Sequence, residues 1–192
     1  SKSYKQQGKY SVITIKNVQD GYIETNNVSF IEDLPENLPD HCILNTGDIL
    51  MSLTGNVGRV GVVYKENLLL NQRVCKIRPR KSEYQAICYF MFRDERIKEK
   101  LINISRGTAQ KNLSPIEASK IKFAFPKINI LRNYNNIATA IFDKLIQIFQ
   151  ENLTLIEIRD TILNKLMSGE INTEELDIDW EKLEETLKIV EE

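Results

Sequence analysis

From Asn135 to Ser168 the chain runs without a single glycine or proline. Within that stretch Ile141, Leu145, Ile148, Asn152, Leu155, Arg159, Ile162 and Leu166 advance by alternate steps of four and three. This is the 3.5-residue repeat of a helix that lies along a partner helix. A second apolar stripe, Phe142, Ile146, Phe149, Leu153, Ile156, Leu163 and Met167, runs beside it. One seam plus a flanking stripe is wider than a two-stranded coiled coil needs. The helix is therefore predicted to pack both on a partner and on its own domain. A core helix of a larger globule is the alternative, disfavoured because about 34 residues far exceeds the usual helix length. Gly169 is predicted to stop the helix, and Asn152 and Arg159 are polar positions of the kind that set register in a seam.

Upstream the periodicity changes. Tyr10–Ile15 is rich in β-branched residues and reads as a strand ending at Asn17, before an Asp20-Gly21 turn, with Tyr22–Thr25 as the return strand. Leu34-Pro35 and Leu38-Pro39 mark a loop. Asp48–Leu53, Val60–Tyr64 and Val74–Pro79 read as three further strands. Tyr84 to Ile104 has helical spacing, Ser114-Pro115 opens a short helical turn through Ala118, and Ile121–Pro126 alternates like an edge strand. The predicted class is α+β: a β-rich domain over residues 1–130, a long helix over 131–169 and an acidic tail over 170–192. In that tail Leu176, Trp180, Leu183 and Leu187 have helical spacing, so a short amphipathic helix is expected from about Trp180.

The net charge of −1 conceals a strong asymmetry. Residues 57–132 carry 17 Lys and Arg against 6 Asp and Glu, a net of +11, and residues 151–192 carry 4 against 13, a net of −9. A basic middle in a neutral chain can present a positive face to a polyanion such as nucleic acid, although solvated faces also produce such blocks. No stretch approaches the ~20 apolar residues that span a bilayer, and no apolar run follows the N-terminal residues, so neither membrane span nor signal peptide is expected. The three cysteines, Cys42, Cys75 and Cys88, lack CxxC spacing and suit a reducing cytoplasm.

Three polar loops carry the residue types that read nucleic acid. Gly55–Gly61 lies between two predicted strands and lacks the ending of a phosphate loop, so it reads as a hairpin with Asn56 and Arg59 at its tip. Asn71-Gln72-Arg73 ends an apolar run. Arg106–Asn112 combines cations, amides and a hydroxyl with no acid. Asn and Arg suit adenine and guanine edges, and the cations suit phosphates. The expected DNA contacts are Lys16, Asn17, Asn56, Arg59, Asn71, Arg73, Arg106, Thr108, Gln110, Lys111 and Asn112. Arg59, Arg73, Gln110 and Lys111 are expected on one exposed surface. Catalysis finds little support: there is no metal-ligand spacing, no glycine-rich cofactor loop and no nucleophile motif, and Asp94-Glu95-Arg96 reads as a solvated helix face. No cofactor, metal or catalytic residue is expected. His41 and Cys42 are adjacent, which rarely makes a productive dyad.

Five strings, in this order, carry a resemblance: Gly47–Ser52, Gly58–Gly61, Leu70–Arg73, Gly107–Gln110 and Leu163–Gly169. Spread over the chain and joined to the long helix, they resemble the specificity subunits of type I restriction-modification systems. That resemblance implies a non-catalytic, double-stranded-DNA-reading subunit whose methyltransferase and restriction partners do the chemistry. It also implies two tandem recognition domains held apart by antiparallel helices, each reading half of a split site.

This chain carries one recognition unit, has a short segment before Lys9-Tyr10, and adds an acidic tail. A half-subunit that pairs with a second copy follows from that pattern, through Ile141, Leu145, Ile148, Asn152, Leu155, Arg159, Ile162 and Leu166. A helix from Ile137 to Met167 rises about 46 Å. It would centre two antiparallel domains about 13–14 base pairs apart, or nearer one helical turn if they lean inward. Two-fold symmetry then calls for an interrupted palindrome. Two other classes remain open: a protein-binding dimer adaptor that titrates methyltransferase subunits, and an RNA-binding module suggested by Tyr84, Tyr89 and Phe92.

Overall fold

The computed structural model describes residues 5, 7–105, 112–124 and 126–172. By its contacts the chain separates into two compact units, Ser1–Gln150 and Glu151–Glu192.

In the first unit eight short strands form two four-stranded sheets. They are β1 (Tyr10–Ile13), β2 (Gly21–Tyr22), β3 (Ser29–Ile31), β4 (Ile43–Leu44), β5 (Ile49–Ser52), β6 (Val60–Val62), β7 (Leu68–Leu70) and β8 (Val74–Ile77). One sheet has the order β3-β1-β7-β4, the other β2-β6-β5-β8. The pairs β1–β7 and β2–β6 are parallel and the rest antiparallel. β5 lies between two neighbours and is buried along its whole length, which is why Ile-Leu-Met-Ser reads as a continuous run without alternation. Ile13, Val18, Ile23, Leu44, Leu50, Val63, Leu68 and Val74 pack as one core cluster contributed by both sheets and their connections.

The predicted return strand is corrected. Beyond one bridge, Val18 to Ile23, the chain after Asp20 does not pair back on β1; it crosses to the other sheet and lies parallel to β6. Gly61 permits this approach, because a Cβ there would sit 2.3 Å from the Tyr22 carbonyl oxygen. The predicted hairpin between β5 and β6 is present, with Gly55 and Gly58 at positive φ.

Four α-helices follow among the described residues: α1 (Gln85–Phe92), α2 (Glu95–Ser105), α3 (Pro115–Ser119) and α4 (Ile128–Met167). The helical spacing expected from Tyr84 to Ile104 is present as two helices, which Asp94 separates. Its Oδ1 accepts the Arg96 backbone N–H at 3.0 Å, the geometry of a helix N-cap. Asp94 is thus a helix start, while Glu95 and Arg96 beside it are exposed, as the solvated face predicts. Ile121–Ala124 alternates in exposure as predicted but pairs with no strand among the described residues; Phe123 packs edge-on against Phe92, ring centres 5.4 Å apart.

α4 begins seven residues before the predicted Asn135. It ends as expected: Gly169 has φ +73°, its N–H donates to the Leu166 carbonyl, and the Glu170 N–H donates to the Lys165 carbonyl. This is the paired closure of a Schellman motif. The amphipathic turn expected around Trp180 lies outside the described residues.

Candidate nucleic-acid interface and helix surface

The residues at the end of β5 gather the polar loops. The Ser52 N–H donates to the Arg59 carbonyl (3.0 Å), its carbonyl accepts from the Gly58 N–H (3.0 Å), and its hydroxyl donates to the Asn56 carbonyl. One residue on, the Leu53 N–H donates to the Arg73 carbonyl (3.0 Å) and the Leu53 carbonyl accepts from the Leu113 N–H (2.8 Å). Thr54 then bridges to Asn112. Successive residues thus hold the Asn56–Arg59 turn from the β6 side, the Asn71–Arg73 turn from the β8 side, and the Asn112-Leu113 stretch before α3. The Asn71 N–H also donates to the Ile13 carbonyl (3.1 Å), which joins the end of β1 to the same place.

The predicted contact residues fare differently there. Lys16, Asn56, Arg73 and Asn112 are exposed; Arg59 and Asn71 are half-buried. Arg73 adopts φ +68°, an uncommon conformation for a side-chain-bearing residue, held by the bond from Leu53. The Asn71 Oδ1 accepts the next backbone N–H, from Gln72, at 2.6 Å. Asn17 is a correction. It is buried, its Oδ1 accepts from the Thr14 N–H and hydroxyl, and its Nδ2 donates to the Glu24 and Asn27 carbonyls. Its amide braces the turn after β1, so it is a fold residue. Arg106, Thr108, Gln110 and Lys111 lie outside the described residues.

The basic block divides in the same way. Lys76 is ion-paired with Asp48 at 2.5 Å, both side chains largely enclosed. Arg93 binds Asp20 at 3.2 Å and lies over the Tyr89 ring; Lys98 reaches Asp20 at 3.6 Å and Glu95 at 3.1 Å. Arg96 pairs with Asp94, and Lys120 with Glu117. Lys76, Arg93 and Lys98 link separate segments of the fold, whereas the Arg96 and Lys120 pairs are local and exposed. Lys65, Arg73, Arg78, Arg80 and Lys100 are exposed and make no ion pair among the described residues. They remain able to meet phosphates, with a net attraction that added salt weakens.

Sequence reasoning missed Gln19, whose Oε1 accepts from Arg59 Nη1 at 2.9 Å. A polar residue in a turn gives no periodic signal, and only the fold brings it to a residue forty positions away. Burial pushes the Cys75 and Cys88 thiols above their ordinary range, which keeps them protonated near neutral pH and poor as nucleophiles. Among the described residues no group of three or more His, Cys, Asp and Glu is arranged to hold a metal ion, and no helix is long and apolar enough to cross a membrane.

The two stripes of α4 separate. Within the first unit Phe142 packs on Tyr89 (ring centres 5.1 Å apart), Phe149 packs on Tyr64 and Tyr22 (5.0 and 5.9 Å), and Ile146 approaches Gly47. Gln150 Nε2 donates to the Tyr64 carbonyl at 3.2 Å. The seam stays outside this packing: Ile141 and Ile148 are about half exposed, and Leu145 is half-buried on the wall of a shallow apolar groove. In the second unit Asn152, Leu155, Arg159 and Ile162 are exposed and Leu166 half-buried.

These features can be set beside known proteins. Residues 1–167 match the family described as type I restriction modification DNA specificity domain. A stretch of 124 residues is 31% identical to the type I restriction enzyme HindI specificity subunit of Haemophilus influenzae, covering 64% of this chain and 27% of that protein. The chain thus spans about a quarter of the length of that relative. With the family match running from the first residue to the last turn of α4, the chain belongs to the type I restriction-modification DNA specificity domain family.

Proposed function

We propose that this chain is a non-catalytic half of a DNA specificity subunit, which reads one part of a split double-stranded site in the cytoplasm. It would direct methyltransferase and restriction subunits to that site. The observation that carries the reading is the convergence of the Asn56–Arg59 turn, the Asn71–Arg73 turn and Asn112 on residues 52–54, at and just past the end of β5. A duplex approaching this end meets amide and guanidinium groups able to choose bases, with lysines and arginines around them for phosphate. Lys16, Asn56, Arg59, Asn71, Arg73 and Asn112 form the proposed contact set, together with Arg106, Thr108, Gln110 and Lys111.

Pairing completes the subunit. The exposed seam from Ile141 to Leu166 would lie antiparallel against a second copy and place two recognition units at opposite ends, facing an interrupted palindrome.

Retardation of duplex DNA by the purified chain tests the central claim. Binding should weaken steeply with salt, and Arg59→Ala and Arg73→Ala should each weaken it further. A chain that leaves duplex DNA unretarded at low salt, yet copurifies with a methyltransferase subunit, would replace this reading with the dimer adaptor. The exposed seam is the observation that keeps the adaptor in view. The RNA reading is weakened, because Tyr89 is fully buried, Phe92 is half-buried against Phe123, and Tyr84 is half-buried.

A further inference from the structure

We propose that Gln19 is a positioning residue for base recognition, holding the Arg59 guanidinium in the attitude that reads a guanine edge. The inference rests on the reading of Arg59 as a DNA contact and adds the residue that aims it, together with the base it would select.

Arg59 sits on the turn between β5 and β6, and its Nη1 donates to Gln19 Oε1 at 2.9 Å. Gln19 is fixed at both ends. Its Nε2 donates to the Lys16 carbonyl at 2.8 Å, and its backbone N–H donates to the Tyr22 carbonyl at 3.0 Å. A donor on one side and an acceptor on the other is a setting that the two ends of a side-chain amide satisfy, and it determines which way the amide faces. The turn that carries Gln19 is anchored in its own right. Asp20 is gripped by Arg93 at 3.2 Å and by Lys98 at 3.6 Å, and the buried Tyr89 hydroxyl donates to the Gly21 carbonyl at 2.8 Å. α1 and α2 thus fix the turn, the turn fixes Gln19, and Gln19 fixes Arg59.

The chemistry of this brace suits recognition. Guanidinium has five N–H donors, and the brace uses one, leaving a two-donor edge for bidentate bonding to guanine O6 and N7. Gln19 is neutral, so it orients the cation without forming an ion pair that would reduce its attraction to DNA. A carboxylate would orient it too, but would oppose the Lys16 carbonyl with a second oxygen. An arginine already held in place has less freedom to lose on binding, and less ability to adapt to another base.

The test is selection from a randomised duplex pool by the full chain, comparing the unaltered protein with Gln19→Ala, Gln19→Glu, Arg59→Ala and Arg59→Lys, each also followed by thermal melting. Arg59→Ala and Arg59→Lys should erase a guanine preference at one position. Gln19→Ala should reduce preference at that same position by roughly five-fold or more, the lower end of what a bidentate base contact provides. Gln19→Glu, which keeps an acceptor for Arg59 but loses the bond to the Lys16 carbonyl and pairs with the cation, should keep more of the guanine preference than Gln19→Ala while lowering affinity on every sequence. If Arg59→Ala relaxes a position and Gln19→Ala does not, the positioning role is wrong while the contact role stands. An equal loss on every sequence, with early melting of Gln19→Ala, marks a purely structural residue and overturns the inference. If Arg59→Ala relaxes no position, or the unaltered chain enriches no sequence, the contact reading itself fails and takes this inference with it.

Discussion

α4 and the recognition end achieve order by different means. On α4, order is a matter of side chains. Phe142, Ile146 and Phe149 turn toward the sheets and α1 while Ile141 and Ile148, one position away in each case, remain outside. At the end of β5, order comes mostly from backbone groups: carbonyls of Asn56, Arg59 and Arg73, and N–H groups of Ser52, Leu53, Gly58 and Leu113. The side chains there are left for other uses. A helix face can therefore be changed by altering what it presents. The proposed recognition end should tolerate change in what it presents and be sensitive to anything that moves its backbone.

The largest effect should come from the inward face of α4. Phe142→Ala removes a ring that is 4% exposed and packs on Tyr89. Chemical denaturation should show a loss of about 3–5 kcal/mol. A loss below about 1 kcal/mol would mean that the helix is only loosely seated on its domain, and the contrast between its two faces would collapse.

A backbone perturbation is the counterpart at the sheets. Gly61→Ala introduces a Cβ 2.3 Å from the Tyr22 carbonyl oxygen, where neither partner is a flexible side-chain end. The parallel contact of β2 with β6 must shift, at a cost of about 3 kcal/mol, the upper part of the usual range for overpacking. The turn carrying Gln19 leads into β2, so DNA binding should suffer as well. Equal stability of Gly61→Ala and the unaltered chain would show that β2 moves freely.

The outward seam should behave in the opposite manner. Ile141→Asp combined with Ile148→Asp alters two exposed positions, so monomer stability should change by about 0.5 kcal/mol or less at each. Light scattering should show the unaltered chain as a dimer and the double variant as a monomer. If the unaltered chain is itself monomeric at high micromolar concentration, the pairing with a second copy is wrong.

The same contrast explains how much was legible in the sequence. Side-chain periodicity revealed α4, both of its stripes and its stop at Gly169. Its first turns were missed because Ile128 and Ile130 fall off the seam, although Tyr134 falls on it. β3 and β4 were not recognised, since strands of three and two residues hold too few side chains to show alternation. The Leu68–Leu70 run was noted but not as a strand, although it lies at the centre of a sheet. The glycine hairpin was legible because its φ angles demand glycine. The gathering of the loops was not, since every residue has a carbonyl and an N–H and nothing in the sequence marks which ones meet. Asn17 shows the hazard of the reverse inference: an amide near the polar loops looked like a base reader and is bonded wholly within the fold.

The smallest expected effect on stability is the most informative about the recognition end. Arg73 holds φ +68° because its carbonyl is bonded to Leu53, a conformation that disfavours any residue with a Cβ by about 1–2 kcal/mol. Arg73→Gly removes that strain, while the greater freedom of glycine in the unfolded chain offsets it by about 0.5–1 kcal/mol. The net change in stability should fall within about 1 kcal/mol, in the favourable direction. Arg73→Ala keeps the strain and should be no more stable than the unaltered chain. Both variants lack the guanidinium, so both should lose DNA affinity to the same extent. If the guanidinium meets a phosphate, the salt dependence of binding should drop by about one ion for each. Equal loss of binding at unequal stability would assign the function to the side chain and the geometry to the backbone. Binding that follows stability instead, strong in Arg73→Gly and weak in Arg73→Ala, would show that the turn contributes only its shape and that its cation is incidental.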